Sequence, residues 1–368
     1  QAANMIAQGE VEPNRIGKIV LVIDEAQDMS ADEYALVSSL MTANEEMRVI
    51  AVGDDDQNIY EFRGSNSRHM QMLTNVEGSR FVEMTDNYRS ARHIVNASNA
   101  FVRHIHNRLK KTPINSMSSE DGWISITHHS SIFMYEPLIA ELIRNRNNIS
   151  QEQKQGRTTC ILTQTNDEAS ILVALLQKHN INSKLVQSMD GFRFLNLAEM
   201  RYFFKHIANQ NNSPLISDEL WESTKQMTYK LYSNSDSLVY VKNCITKFET
   251  TNKIKYYSDF KEYVFESSIE DFGDYSDSDV IVSTIHKSKG HEFDDVYMLV
   301  NGGYTKDDEL MRRYYVAITR AKKRLFIHTN TNIFDNIAVD AKYIDSKQYD
   351  TPEEIVLQMS YKDVNLGF

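Results

Sequence analysis

Two short apolar runs that end in acid constrain this chain most. Lys18-Ile19-Val20-Leu21-Val22-Ile23 leads directly into Asp24-Glu25, and Arg48-Val49-Ile50-Ala51-Val52 leads into Gly53-Asp54-Asp55-Asp56. A continuous apolar run bounded by turn-forming residues reads as a strand covered on both faces, the habit of parallel sheets. Between the two runs, Ala31 to Met41 carries helical spacing, with Ser30 as N-cap and Glu33 three residues on, the pattern of a capping box. Strand, helix, strand with polar residues at each strand end describes an α/β sheet with its site at the carboxyl edge.

A second α/β unit follows. Arg89 to Lys111 has a long helical pattern that grows basic towards its end, Gly122 to Thr127 is a strand, and Pro137 to Asn145 is helical. After a polar linker over Ser150 to Arg157 come a strand (Thr159 to Thr163), a helix (Glu168 to His179) and a strand (Ile181 to Val186). From Ala198 to Phe272 the pattern is helical and aromatic-rich, with loops at Asn209 to Ser213 and Ser233 to Ser237. The stretch Glu270 to Asp279 is acidic and Ser-rich, which reads as a solvated linker. Strands return at Val280 to Ser283, Val296 to Val300 and Arg324 to His328, with a helix over Glu309 to Thr319.

Composition narrows the class. With 368 residues, 41% apolar and 10% aromatic, the chain can build real cores and is not a disordered segment. Its net charge of −11 argues against a general nucleic-acid coat, though not against a local nucleic-acid site. Cys160 and Cys244 form no CxxC pattern and read as core residues of a reduced, cytoplasmic protein. No apolar run reaches the roughly 18 residues of a membrane span, so no membrane partner is expected. The first residue is Gln, which suggests a processed product or a piece of a longer chain.

Five clusters carry the chemistry. The first, Asp24-Glu25-Ala26-Gln27-Asp28, suits a Mg²⁺ site at a strand end. Asp24 would hold the ion through water and Glu25 would orient and deprotonate the attacking water. An ordinary acidic loop is the plain alternative. The second runs from Gly53 through Asp54-Asp55-Asp56-Gln57-Asn58-Ile59-Tyr60-Glu61-Phe62-Arg63 to Gly64. It resembles motif III of the UvrD/Rep group of superfamily 1 DNA helicases. The resemblance implies that Gln57 senses the γ-phosphate and that Tyr60 and Phe62, with Arg63 beside them, meet single-stranded DNA. Base stacking on such rings is worth about 1–3 kcal/mol per base.

The third cluster, Asp86-Asn87-Tyr88-Arg89-Ser90, resembles motif IV of the same family and makes Arg89 a γ-phosphate ligand. The fourth, Thr284-Ile285-His286-Lys287-Ser288-Lys289-Gly290-His291-Glu292-Phe293, resembles motif V. By resemblance, Thr284, His286 and Lys289 face the DNA backbone while Gly290 and Glu292 face nucleotide. The fifth, Tyr315-Val316-Ala317-Ile318-Thr319-Arg320-Ala321, resembles motif VI and makes Arg320 a second arginine finger. It lies in a stretch from Met311 to His328 that holds six Lys or Arg and no acid.

The resemblance implies RecA-like, P-loop NTPase-type parallel sheets with a short helical insertion. Residues 1–80 would be the latter part of a first motor domain, 81–204 and 280–335 the two halves of a second, 205–279 the insertion and its linker, and 336–368 a C-terminal extension. It also implies an ATP- and Mg²⁺-dependent helicase or translocase moving 3′ to 5′ on single-stranded or partly unwound DNA. Such an enzyme would be cytoplasmic and nucleoid-associated and would serve DNA repair. None of the thirteen glycines opens a G-x-x-x-x-G-K-[ST] phosphate loop. The chain is therefore expected to lack the N-terminal part of its motor and to be inactive alone. Three other readings remain open: a non-catalytic, helicase-derived binding module, the helicase part of a helicase–nuclease, and RNA as the strand.

Overall fold

A computed structural model describes residues 1–11, 17–149, 156–186, 194–210, 213–235, 237–267, 272, 279–302, 307–338 and 340–345, with Arg63 described by its backbone alone. Most of the acidic linker, and the extension beyond residue 345, lie outside the described residues. Two compact units emerge, one of Gln1–Ile181 with Val282–Phe368 and one of Asn182–Ile281. The second opens at Asn182, where the sequence places the start of the insertion at 205.

In chain order the first unit holds α1 (Ala2–Ala7), β1 (Val20–Ile23), α2 (Ala31–Ala43), β2 (Arg48–Ala51), α3 (Ser67–Thr74), β3 (Asp86–Asn87), α4 (Arg92–Phe101), β4 (Asn115–Ser116), β5 (Trp123–His128), α5 (Tyr135–Asn147), β6 (Thr159–Thr163) and α6 (Asn166–Lys178). The second unit contributes β7 (Ser183–Leu185), α7 (Ala198–Gln210), α8 (Asp218–Leu231), α9 (Leu238–Thr251) and α10 (Tyr257–Glu266). The chain returns through β8 (Val280–Thr284) to β9 (Phe293–Val300), α11 (Asp308–Ile318), β10 (Ala321–Thr329) and β11 (Lys342–Asp345).

β1 and β2 pair in parallel, Val20 opposite Arg48 and Ile23 opposite Ala51. The Ser30/Glu33 capping box forms as its spacing predicts and starts α2. Coverage of β1 and β2 on both faces does not occur. Alternate residues point to opposite faces of a strand, and Val20, Val22 and Ile50 are 50%, 63% and 52% exposed. Ile23 and Ala51 pack instead on Ala26, Met29 and Met70. The apolar run thus marks two faces, and the described residues cover one.

The main sheet of the first unit is parallel in each of its described pairings, in the order β11–β5–β10–β9–β6–β8. β6, β8 and β9 are buried at every position, as strands covered on both faces of a parallel sheet are. Two aspartates interrupt β9. Asp295 takes bidentate bonds from Arg157 (2.6 and 2.8 Å) and also pairs with both donors of Arg324, its neighbour across the ladder. Asp294 accepts from the backbone and hydroxyl of Thr158 and pairs with Lys323 at 3.3 Å.

The long basic helix expected over Arg89–Lys111 stops at Phe101, followed by one 3₁₀ turn. Carboxylates have taken its amides. Asp308 accepts from the backbone of His106 and Asn107, Asp55 from Leu109, and Glu83 from Lys111 and Thr112. An amide bonded to a carboxylate cannot also close a helical turn, so 105–111 runs irregularly along the acids.

The second unit is helical around an aromatic core. Trp221 meets Phe260 edge-on at 4.8 Å, and Phe248 and Phe203 close on the same ring at 4.9 and 5.5 Å.

Asp295 is 2% exposed, and both its arginines keep only about a fifth of their side chains in solvent. Removing one partner of a buried pair costs roughly 3–5 kcal/mol. Asp295→Asn is expected near the lower bound, about 3 kcal/mol, read as a fall in the urea midpoint.

Candidate nucleotide and nucleic-acid site

The chemistry gathers at the end of β1. Glu25 sits in the left-handed region at φ +49°, a strained position for a residue with a side chain. Its amide donates to Asp24 Oδ1 at 2.9 Å and its carboxylate accepts from Gln27 Nε2. Asp24 and Glu25 are exposed, whereas Gln27 is fully buried. Gln27 also accepts from the Asp54 amide at 3.0 Å, and its carbonyl accepts from Asn58 at 2.9 Å. Gln27 therefore joins the two acidic strand ends. Sequence reasoning quoted it without a role, and the only signal was its place between Glu25 and Asp28.

Gly53 has to be glycine for this reason. A Cβ there would collide with Gln27 Oε1 and crowd the Ala26 amide at 3.0 Å. Gly290 differs: its φ is +84° and a Cβ would meet nothing within 4 Å, so the turn needs its conformation rather than close approach.

The second acidic cluster is internally compensated. Asp56 is buried and receives a two-pronged bond from Arg108, both at 2.7 Å. Asp54 pairs with Lys110 at 3.3 Å, and Asp55 accepts from the Leu109 amide. The three carboxylates lie close enough to share a cation, yet each already has a protein partner. Burial pushes the Asp56 carboxyl up to about 6, helped by Asp54 and Asp55 and opposed by Arg108.

Gln57 is where distant parts of the chain meet. Its amide nitrogen donates to Asp54 Oδ2 at 2.9 Å, and its oxygen accepts from Arg320 NH2 at 3.0 Å. Arg320 is 2% exposed and also donates to the Val316 and His291 carbonyls and the Thr319 hydroxyl. Burial first, then the nearby charge of Arg89, lowers its pKa to about 10, so it stays protonated at neutral pH. Arg89 and Glu292 pair at 2.7 Å, and Lys322 joins Glu292 at 3.3 Å. Both arms of that pair remain substantially exposed.

Lys289 lies on the acidic strand end. It pairs with Asp28 and sits 3.7 Å from Glu25, with its ammonium 5.0 Å from the centre of the Tyr60 ring. Burial raises the Asp28 carboxyl against the pull of this lysine. Asp28 was not singled out as a site residue; its signal was an acid three positions after Glu25. Tyr60, Phe62 and His286 cluster beside it. Phe62 meets His286 edge-on at 5.6 Å and is 62% exposed, and the Tyr60 hydroxyl reaches the His286 carbonyl at 3.4 Å. Thr284 is buried at the end of β8.

The basic stretch from Met311 to His328 is largely paired. Arg312 bonds Glu61 and the Asn107 carbonyl, Arg320 bonds Gln57, and Lys322, Lys323 and Arg324 each meet an acid.

Together these groups make a parallel α/β fold in which an acidic strand end and a buried arginine meet through Gln57. A family model described as the UvrD/REP helicase N-terminal domain matches residues 13–76, and one described as the UvrD-like helicase C-terminal domain matches 82–270 and 216–332. The chain belongs to the UvrD-like helicase family. It is 27% identical over 198 residues to DNA helicase II of Escherichia coli K12, covering 52% of this chain and 26% of that protein. It is 24% identical to the putative ATP-dependent DNA helicase YjcD of Bacillus subtilis 168, covering 85% and 52%. It is 23% identical to the Gabija protein GajB of Bacillus cereus VD045, covering 83% and 63%. The chain thus spans between about a quarter and two thirds of these relatives.

The carboxyls and arginines fit part of a Mg²⁺–ATP site. Asp24 offers exposed carboxylate oxygen to a hard cation, and the charges of Arg89 and Glu25 both act on Arg320. The amide cradle of a phosphate loop has no counterpart in this sequence.

Gly53→Ala is expected to lower stability by about 1–3 kcal/mol in thermal unfolding, since Gln27 must leave its bonds to admit the methyl. Arg108→Met should cost about 3–5 kcal/mol at pH 7. The folded pKa of Asp56 exceeds its unfolded value of 3.8, so the charge penalty is in force above about 6 and absent below 3.8. The loss should therefore shrink from pH 7 to pH 5 in denaturant titrations. A loss equal at both would exclude Asp56 as its source.

Proposed function

We propose that this chain is the acid- and arginine-bearing part of an ATP-dependent DNA helicase or translocase that tracks single-stranded DNA 3′ to 5′. The observation that carries the reading is the Arg320–Gln57 bond at 3.0 Å, which joins groups 263 residues apart beside the Asp24-Glu25 strand end. In this reading Mg²⁺, when bound, neutralises phosphate charge and polarises the transferring phosphoryl group. Asp24 holds the ion's water shell. Glu25 orients the attacking water and takes its proton. Gln57 reads the γ-phosphate position, and Arg320 and Arg89 stabilise the charge that develops on its oxygens. For Arg89 this requires release from Glu292.

Tyr60 and Phe62 stack on bases, with Arg63 and His286 beside the strand. The placement of Lys289 against Glu25 and Asp28 favours the carboxylate side of the site over the DNA backbone for that residue. Gly290 sets the turn, and Glu292 holds Arg89 in place. Without an amide cradle for the phosphates, the chain alone is expected to show no useful DNA-stimulated ATP turnover. DNA repair and a nucleoid location accord with this reading. Among the described residues no helix is long and apolar enough to cross a membrane.

Fluorescence anisotropy with labelled single-stranded DNA tests the strand-binding half. Phe62→Ala is expected to weaken binding by about 1–3 kcal/mol, whatever the base sequence. The slope of affinity against salt should stay unchanged, because no phosphate contact is removed. Unaltered affinity would remove Phe62 from the strand path. Strong ATP turnover by this chain would overturn the need for a phosphate loop.

A further inference from the structure

The stretch from Met311 to His328 is basic in sequence, yet its first arginine is directed inwards. Arg312 lies in α11 and is 3% exposed. Its Nη1 donates to Glu61 Oε1 at 2.9 Å, and its Nη2 donates to the Asn107 carbonyl at 2.9 Å. The Asn107 amide in turn donates at 3.0 Å to Asp308, which stands four residues before Arg312 on the same helix. α11 thus grips the irregular segment after α4 and, through Arg312, reaches on to Glu61.

Glu61 stands where its anchoring has a consequence. It lies between Tyr60 and Phe62 and opens the 3₁₀ turn Glu61–Arg63. Three residues complete such a turn, so successive side chains diverge by about 120°. Fixing Glu61 towards α11 therefore fixes the direction of Phe62, which is 62% exposed. The turn is short and closed by the Gly64 amide on the Glu61 carbonyl at 2.9 Å, and Tyr60 supplies no side-chain cap. A brief 3₁₀ turn has poor hydrogen-bond geometry of its own, so an outside anchor matters.

A second arginine fixes the other end of this segment. Arg320, two positions past the end of α11, donates to Gln57 Oε1 at 3.0 Å. Residues 57–61 are therefore held at both ends from one helix, by two buried guanidinium groups.

We propose that Arg312 is a positioning residue for the strand contact. By holding Glu61 it aims Phe62 at a base, and it touches no nucleic acid itself. This rests on the strand reading of Phe62 given above. A phosphate contact is the role that a place in a basic stretch suggests, and the two roles differ in what charge does.

Fluorescence anisotropy of the whole chain with labelled oligothymidine, repeated over a range of salt, separates them. Arg312→Met removes a cation and Glu61→Ala removes an anion. Charge alone would make the first weaken binding to a polyanion and the second strengthen it. Positioning makes both weaken it, by at least about threefold. The Glu61→Ala, Arg312→Met double variant should lose no more than the worse single change, because both act through one contact. In a Phe62→Ala chain either change should cost less than about 1.5-fold. The salt slope should hold its original value, whereas loss of a phosphate contact lowers it by about one. Glu61→Ala leaves a buried cation short of a partner; the double variant does not, and it carries the test where a single change fails to fold. Unchanged or tighter binding by Glu61→Ala, a slope lowered by Arg312→Met, or equal losses with and without the Phe62 ring would each overturn the proposal. If Phe62→Ala leaves affinity unaltered, the strand reading falls and this proposal with it. A loss with Phe62→Ala but none with Arg312→Met overturns the positioning role alone.

Discussion

A buried guanidinium bound to neutral oxygens is the constraint around which the strand-end site is organised. The four described hydrogen bonds of Arg320 all go to carbonyl, amide or hydroxyl oxygen. These occupy four of its five N–H donors without cancelling its charge. Burial lowers its pKa to about 10, a shift too small to discharge it. Desolvating an unneutralised charge is expensive. Such a cost is understandable where an anion of fixed geometry arrives, because a preset cation then needs no reorganisation.

The acids around it are handled in the opposite way. Asp54, Asp55 and Asp56 would repel one another if left alone, and the segment from His106 to Lys111 gives up helical bonding to compensate them. The same segment reaches Asp308 at the start of α11, whose far end leads into Arg320. Hydrogen bonds from these amides outweigh burial and hold the Asp308 carboxyl at about 2. Compensation of the triple acid and placement of the arginine are thus parts of one network. Glu25 and Asp24 stand outside it, exposed, with Lys289 as the nearest described counter-charge to Glu25.

Regular elements were legible where one physical signal dominated. The apolar runs Val280–Val282 and Val296–Val300 and the Ser30 capping box needed only local chemistry, and both formed. The helix expected to Lys111 failed because its competitors, Asp55, Glu83 and Asp308, are remote in sequence. β1 and β2 kept their strand character, but an apolar run does not reveal how many faces the rest of a chain will cover. At the site, the resemblance to family motifs pointed to Gln57, Arg89 and Arg320, while the Gln57–Arg320 and Arg89–Glu292 pairings depend on contacts across more than 200 residues. Gln27 and Asp28 were given no role because their importance lies wholly in their partners. The stretch around Arg320 read as locally basic, and only the fold shows most of its charges already paired.

The turn from Ile285 to Gly290 links the two halves of the proposed chemistry. At one end His286 packs against Phe62 and its carbonyl holds the Tyr60 hydroxyl; at the other Lys289 pairs with Asp28 and approaches Glu25. The ammonium also lies over the Tyr60 ring. In the proposed reading a base stacking on Phe62 would lie beside His286, which one 3₁₀ turn separates from Lys289. Moving Lys289 changes the field on Glu25, the proposed base. In that reading strand contact and hydrolysis would be coupled through a few residues of one turn, closed by a glycine whose positive φ other residues would resist.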